Sequence, residues 1–568
     1  MKHLIFIFSL TLVFSLSKAQ LTTYEFSNGK KKAEGALSQG IEQGLWKFWD
    51  KEGHLVQEVT YKDGDFNGPY VSYHVNGKKK EEGSFDYNHI HGSFKTWFES
   101  GKLETEGYYH FGIKDSSWTF YYDAGGIYES GDYKDDVRIG LWKSFYLNGS
   151  PKGITEYGDI EVRLIEFNDS KGNTTLKNGN GDFIDFYANG NPKESGSYEN
   201  GLKIGKWSTN AVDGYKLREG SYKEGKKTGI WIEFHSNGNP SQTGNYLNNM
   251  KEGPWIFYFD NGQRSKTVIY SQNKEEGEYL EWFKTGEKST IGVYKSGNKT
   301  GHWIWYFKNG QLDFEGDFLN NERHGKWKFY WPDVEKIEYK GEFTAGKKTG
   351  KWVYLWRNGE LWKKGPYEDG KKSGMWSFYN ESKIKVMEGD FAIGKEEGLW
   401  QAWYDDGKKK SEGYFKAGKM DGEWKGWFES EIQKYVGHYS NDVKDGLWLH
   451  YYPNGNLELS EAYKNGILDG VRTSYYENST VKDEGNYIEG NKNGAWNFYW
   501  VNGQKQVECT FKNNRQEGKV TSYYEIGTLE SIKSFKSGQA DGTWEFYGKR
   551  EGDLINKIKF KKGVKIEE

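Results

Sequence analysis

Several groupings in this sequence carry residue types that chemistry uses, and each lacks a part. Gly220 to Lys227 and Gly341 to Lys348 approach the glycine-rich loop whose backbone N–H groups cradle phosphate, but the hydroxyl residue that would hold Mg²⁺ is Lys227 or Lys348. Asp63, Asp65 and Asn67 open like a calcium loop, yet the twelfth residue is His74 where a bidentate Glu is required. His89 and His91 place two imidazoles on one side of a strand without a third ligand recurring nearby. Cys509 is the only cysteine and has no disulfide partner. Glu275-Glu276 and Glu396-Glu397 pair carboxylates, but acid–base catalysis needs one member desolvated, and no acidic pair sits in a setting of its own. No nucleophile elbow occurs. The expectation is a protein with no catalytic residues, no cofactor and no metal site.

The reason these groupings look alike is that they are copies. Counting Gly301 as position 0, Trp303 falls at 2, Tyr306 at 5, Asn309-Gly310 at 8 and 9, Gly316 at 15, Phe318 at 17, and the next opening glycine, Gly325, at 24. The same frame opens from Gly44 to Gly542, so the chain is a repeat array. Position 2 is aromatic except at Arg472 and Val520, and position 5 except at Asn210 and Leu355.

Asn-Gly between alternating aromatic runs signals a two-residue type I′ hairpin turn. That turn sets Trp303 over Gly316 and Trp400 over Gly413, the glycine making room for the indole. Positions 2, 4, 6, 15 and 17 then share the more buried face; positions 3, 5, 12 and 14 share the wetter one. The fold expected is all-β: an elongated array of stacked antiparallel hairpins of about 24 residues, forming a single-layer twisted sheet or solenoid. At about 4.8 Å per strand it extends to roughly 200 Å.

Along the chain, Lys2, the apolar run Leu4 to Leu16 and Ser17-Lys18-Ala19 read as a signal peptide over 1–19, cleaved before Gln20. Residues 20–43 keep Asn28-Gly29 and Gly35 without the position 2 aromatic, which suits a capping hairpin. Repeats occupy 44–160. Residues 161–180 read as an inserted hairpin, either continuing the sheet at altered width or marking a joint. Repeats with a C-terminal cap occupy 181–568, ending in a lysine-rich strand that discourages edge pairing.

The patterns Gly253-Pro-Trp-Ile-Phe-Tyr-Phe-Asp-Asn-Gly262 and Glu412-Gly-Tyr-Phe-Lys-Ala-Gly418 resemble the MORN-repeat variant. The chain looks like the exported, antitoxin-like bacterial members of that family. The resemblance implies stacked hairpins and protein contact, and it transfers no catalytic residue.

Lys and Arg number 79 against 82 Asp and Glu, interleaved in every repeat, so no basic stripe awaits a nucleic acid. The same near-neutral balance gives no reason to expect lipid binding, and no transmembrane span is expected after signal removal. The expected role is a non-enzymatic, exported scaffold for protein–protein interaction, antitoxin or immunity function being a special case, in the periplasm or secreted to the cell surface. The alternative is glycan or cell-wall binding, with Trp97, Trp282, Trp403 and Trp427 on the wetter face as candidate partner-binding aromatics.

Overall fold

The alternation read from the sequence becomes strand throughout residues 20–566, which the computed structural model describes; the segment 1–19 expected to be a signal peptide lies outside them. Among the described residues every regular element is a β-strand, so the all-β hairpin array stands. Contacts group the chain into two compact parts, Met1–Lys274 and Glu275–Glu568, called here the N-terminal and C-terminal halves. Within each half, strands pair antiparallel with their neighbours in sequence, as a meander.

One repeat explains the rest. Strands Asn298–Tyr306 and Leu312–Leu319 pair Trp303 with Gly316 and Trp305 with Phe314, then slip by one residue at Tyr306. The tip is not the expected type I′ turn. Gly310 N–H donates to Phe307 O at 2.9 Å and Phe307 N–H to Gln311 O at 2.8 Å. Gly310 has φ +84° while Asn309 is not left-handed, which makes a type I turn followed by a glycine bulge.

Asparagine is needed at the tip for another reason. Its Oδ1 accepts from Gln311 N–H at 3.0 Å, and its Nδ2 donates to Pro332 O of the following tip at 2.9 Å. Asn237, Asn454 and Asn502 reach the next tip in the same way.

The type I′ turn sits at the opposite edge, between repeats. Leu319 pairs with Glu322 around Asn320 and Asn321, whose φ values are 50° and 70°. Asn321 Oδ1 accepts from Lys299 N–H of the preceding strand pair at 2.7 Å. Just beyond, the ladder jumps from Asp317–His324 to Gly316–Trp327, and Gly325 enters the bulge at φ +65°. The period-24 glycine therefore marks the bulge, and side-chain ladders tie both edges from repeat to repeat.

Residues 161–180 supply strand Val162–Asn168 and a four-residue strand, Thr174–Lys177. Because the second is so short, Val162–Asn168 runs past it and Leu164 N–H donates to Gly201 O at 3.0 Å. Phe167, Leu176, Phe183 and Trp207 pack together where the sheet narrows.

Candidate functional site

The chemistry-like groupings resolve into scaffold. Lys226 and Lys347 start the strands Lys226–Phe234 and Lys347–Leu355, where a phosphate loop would start a helix. Asp63 accepts from Gln43 Nε2 at 2.8 Å and Asp65 from Asn88 Nδ2 at 2.6 Å. His91 packs its ring on Phe111 and His110, with centroids 4.7 and 5.4 Å away. Of the paired carboxylates, Glu276 and Glu397 accept backbone N–H groups of the next inter-repeat turn, from Ser296 at 2.6 Å and Ala417 at 2.8 Å. Among the described residues no cluster of three His, Cys, Asp or Glu is placed to hold a metal ion.

What the repeat builds instead is an aromatic face. The cross-strand register Trp303–Gly316 and Trp400–Gly413 is as expected, but the indole does not cover that glycine. A Cβ on Gly316 would collide with the ring of Trp327, one on Gly413 with Trp424, and one on Gly292 with Trp303. Each tryptophan thus lies over the glycine of the repeat before it, eleven residues earlier. Its indole N–H donates in the same direction, Trp327 to Asp317 O at 3.1 Å and Trp400 to Asp390 O at 3.1 Å. Trp303, Trp327, Trp352, Trp376 and Trp496 are essentially inaccessible.

A cation from the preceding inter-repeat turn closes most of these indoles. In the C-terminal half Lys299, Arg323, Lys348, Lys372, Lys444 and Lys492 stand 4.1 to 4.9 Å above Trp303, Trp327, Trp352, Trp376, Trp448 and Trp496. Burial among the rings holds the Lys299, Lys348 and Lys372 ammonium groups below the usual lysine range.

Beside the tryptophans, positions 4 and 13 form a second row. From Trp305 onward it is a stack of rings: Trp305 on Phe314 at 4.5 Å, Phe314 on Phe329 at 5.8 Å, Phe329 on Tyr339 at 4.3 Å and Tyr339 on Tyr354 at 5.4 Å. Trp305, Phe314, Tyr339, Tyr354 and Phe378 are only half-buried, so the row faces outward. The ring-on-ring stack stops at Tyr354; the row goes on through Lys363 and ends at Phe378 and Met387. The next two places are Ala402 and Ser411, and a hollow of ≈ 390 Å³ opens there, lined also by Phe391, Trp400, Phe415 and Trp424. A second hollow of ≈ 660 Å³ shares Phe378, Met387, Ala402 and Ser411 and runs on past Trp356, Trp362 and Trp403.

The opposite face obeys a separate rule. Where position 5 is tyrosine and position 14 of the preceding repeat is glutamate, the hydroxyl donates to that glutamate: Tyr73 to Glu58 and Tyr121 to Glu106 at 2.6 Å, Tyr330 to Glu315 at 2.7 Å. Where it is tryptophan after such a glutamate, a lysine takes over. Lys79, Lys385 and Lys409 sit 5.6, 5.0 and 5.2 Å from Trp97, Trp403 and Trp427 while pairing with Glu82, Glu388 and Glu412. Trp97, Trp282, Trp403 and Trp427 are all half-buried. They are separate places along the array and converge on no common site; Trp403 also borders the larger hollow. Sequence reasoning missed the Ala402–Ser411 gap, although small residues at positions 4 and 13 after four repeats with rings at position 4 were a readable signal.

Nine stretches, residues 42–63, 90–110, 138–159, 180–200, 227–248, 299–320, 396–417, 444–465 and 468–489, match the family model described as "MORN repeat variant". No curated protein matches the sequence. Among solved structures the chain is similar to a TcdB2-TccC3-Cdc42 crystal structure at 9% identity, over 93% of this chain and 30% of that one, with a TM-score of 0.13. It is similar to a Photorhabdus luminescens Tc holotoxin pore at 10% identity, over 94% and 29%, with a TM-score of 0.14. The chain spans about three-tenths of those chains, and likenesses of this size carry no argument.

Proposed function

Because the chain belongs to the MORN-repeat variant family, whose repeats are generally interaction modules, we propose that it is a non-enzymatic scaffold, exported by its N-terminal segment, that binds a protein partner. One observation carries this reading: the ring row from Trp305 to Tyr354, mostly half-buried, which the repeats hold in place and leave facing outward. Aromatic side chains dominate binding hot spots because they offer large apolar area at small cost in rotamer entropy. An antitoxin or immunity role is the special case in which the partner is a toxin.

The lysine lids over Trp97, Trp403 and Trp427 speak against sugar stacking at these three places, since each of the three rings already has a charged neighbour. The test is capture from an envelope fraction with the chain from Gln20 onward as bait. A saturable partner whose recovery falls when Trp305 and Tyr339 are both changed to Ser supports the proposal. Recovery of nothing specific, or equal recovery by that variant, overturns it. N-terminal sequencing of the exported protein checks the leader: a start at Gln20 is expected, and a retained Met1 contradicts it.

A further inference from the structure

The hollow at Ala402 is a place where the chain departs from its own template, and the template says what is missing. In the four repeats before it, position 4 carries a ring, at Trp305, Phe329, Tyr354 and Phe378. Each of these four has the cation of its own repeat 5.4 to 5.8 Å away. At the fifth repeat the ring is Ala402, its strand partner is Ser411, and the cation is replaced by Glu396. One repeat further the cation is Met420 and position 4 is Gly426, over which the chain lays Tyr435. The second gap is filled from within; the first is not.

The consequences show in the neighbours. Trp424 is only half-buried, whereas Trp400 and Trp448 on either side are 6% and 2% exposed. Phe378 and Met387 wall one side of the opening, with Trp400, Phe415 and Trp424 in its lining. The volume of ≈ 390 Å³ falls inside the range of about 300–1,000 Å³ typical of ligand pockets, so a side chain enters it where a flat sheet would offer only contact.

We propose that this hollow holds one aromatic side chain, Trp, Tyr or Phe, presented by the protein partner; the inference rests on the scaffold reading above. A ring takes the place that Phe378 fills one repeat earlier and covers the exposed side of Trp424. A lysine or arginine suits it less, because Lys372 already lines the hollow and its charge acts on Glu396 without an ion-pair contact. Glu396 forms no ion pair among the described residues and stands ready to accept a hydrogen bond from a phenol or indole donor. The chain satisfies its own glutamates in that way, as with Tyr330 on Glu315.

Ligand-observed saturation-transfer NMR on the chain from Gln20 onward tests this with four probes: N-acetyl-tyrosinamide, N-acetyl-phenylalaninamide, N-acetyl-leucinamide and N-acetyl-lysinamide. The two aromatic amides are expected to bind about tenfold more tightly than the others, the scale of one aromatic pair. Ala402→Phe supplies the ring from within, so it should keep the β circular dichroism and abolish binding of both. Glu396→Gln should weaken the tyrosine amide and leave the phenylalanine amide unchanged. Equal binding of leucine or lysine amide, or undiminished binding to Ala402→Phe, overturns the proposal. Should Ala402→Phe fail to fold, Ser411→Phe reads the same contact, and the ranking of the four probes on the unaltered chain decides without either.

The envelope capture separates the two levels. A partner recovered equally by the unaltered chain and by folded Ala402→Phe keeps the scaffold and removes the hollow as its contact. Loss of self-association in Ala402→Phe would assign the hollow to a second copy of this chain and overturn the partner's role. If neither chain recovers a partner the scaffold fails, while the probes still report on the hollow.

Discussion

Cys509 shows how strictly single positions are set. It occupies position 15, where most repeats have glycine, it is 6% exposed, and it packs with Trp496 and Val520. Burial pushes its thiol up to about 11. Since the thiolate is the reactive species, an aromatic disulfide reagent at pH 8 should label the folded protein roughly a hundredfold more slowly than the urea-unfolded chain. Equal rates would mean that the site is open. At this scale the sequence was legible in residue type and less so in role. Asn309 is the turn residue its type announces, but positive φ belongs to Asn320 and Asn321; Asn309 is selected by its two side-chain hydrogen bonds, one of which reaches the next tip. Period counting within one repeat does not reveal a bond to another.

At the scale of the hairpin, the unit that coheres is the join between two repeats. The indole covers a glycine eleven residues back, so the two positions should vary together across that join. At several joins they do: Cys509 is followed by Val520, Glu461 by Arg472 and Val59 by Tyr70, each departing from the Gly–Trp pair, whereas at the last join Trp544 follows Lys533. Arg472 makes the substitution explicit by pairing with both Glu461 and Asp483. The sequence held this clue, because Cys509, Glu461 and Val59 keep Trp496, Trp448 and Trp46 within their own repeats, which a glycine-rescue pair inside one hairpin would not tolerate. Val520→Trp alone should therefore destabilise by about 1–3 kcal/mol through overpacking against Cys509. Adding Cys509→Gly should recover most of the loss, giving a coupling of about 1–3 kcal/mol in urea unfolding. Additive effects would contradict the join.

Over the molecule, stability in such an array is a sum of repeat and interface terms, so a device used many times governs the response to solvent. The tyrosine–glutamate bond is one. Hydrogen bonds from Lys47 and Tyr73 hold Glu58 below the usual carboxylate range, those from Tyr121 and Lys95 hold Glu106 there, and those from Lys505 and Tyr523 do so for Glu508. Lowered carboxylates contribute stability that is present above their unfolded value of about 4.3 and lost as pH falls through the folded values. Burial, then the bond to glutamate, pushes Tyr73, Tyr121 and Tyr499 up to about 12. Their contribution is present below about 10 and lost as pH rises toward 12. Thermal melts should thus show a plateau from about pH 5 to 10 that falls on both sides; changing Tyr73, Tyr121 and Tyr499 to Phe should lessen the alkaline fall and, because Glu58 and Glu106 lose a hydrogen bond, lessen the acid one too. A melt unchanged between pH 10 and 12 in the unaltered chain would contradict this.

Which tryptophan lies on which glycine decides how the repeats are joined, and one cycle at Gly316 reads that directly. Gly316→Ala is made in three backgrounds, the unaltered chain, Trp327→Ala and Trp303→Ala, and hydrogen exchange is followed in the strands Leu312–Leu319 and Glu322–Tyr330. The added methyl should cost about 1–3 kcal/mol of protection in the unaltered chain and in Trp303→Ala, and almost nothing once Trp327 is removed. A cost that vanishes with Trp303 and survives the loss of Trp327 would place the ring within its own hairpin and leave the repeats without the join described here.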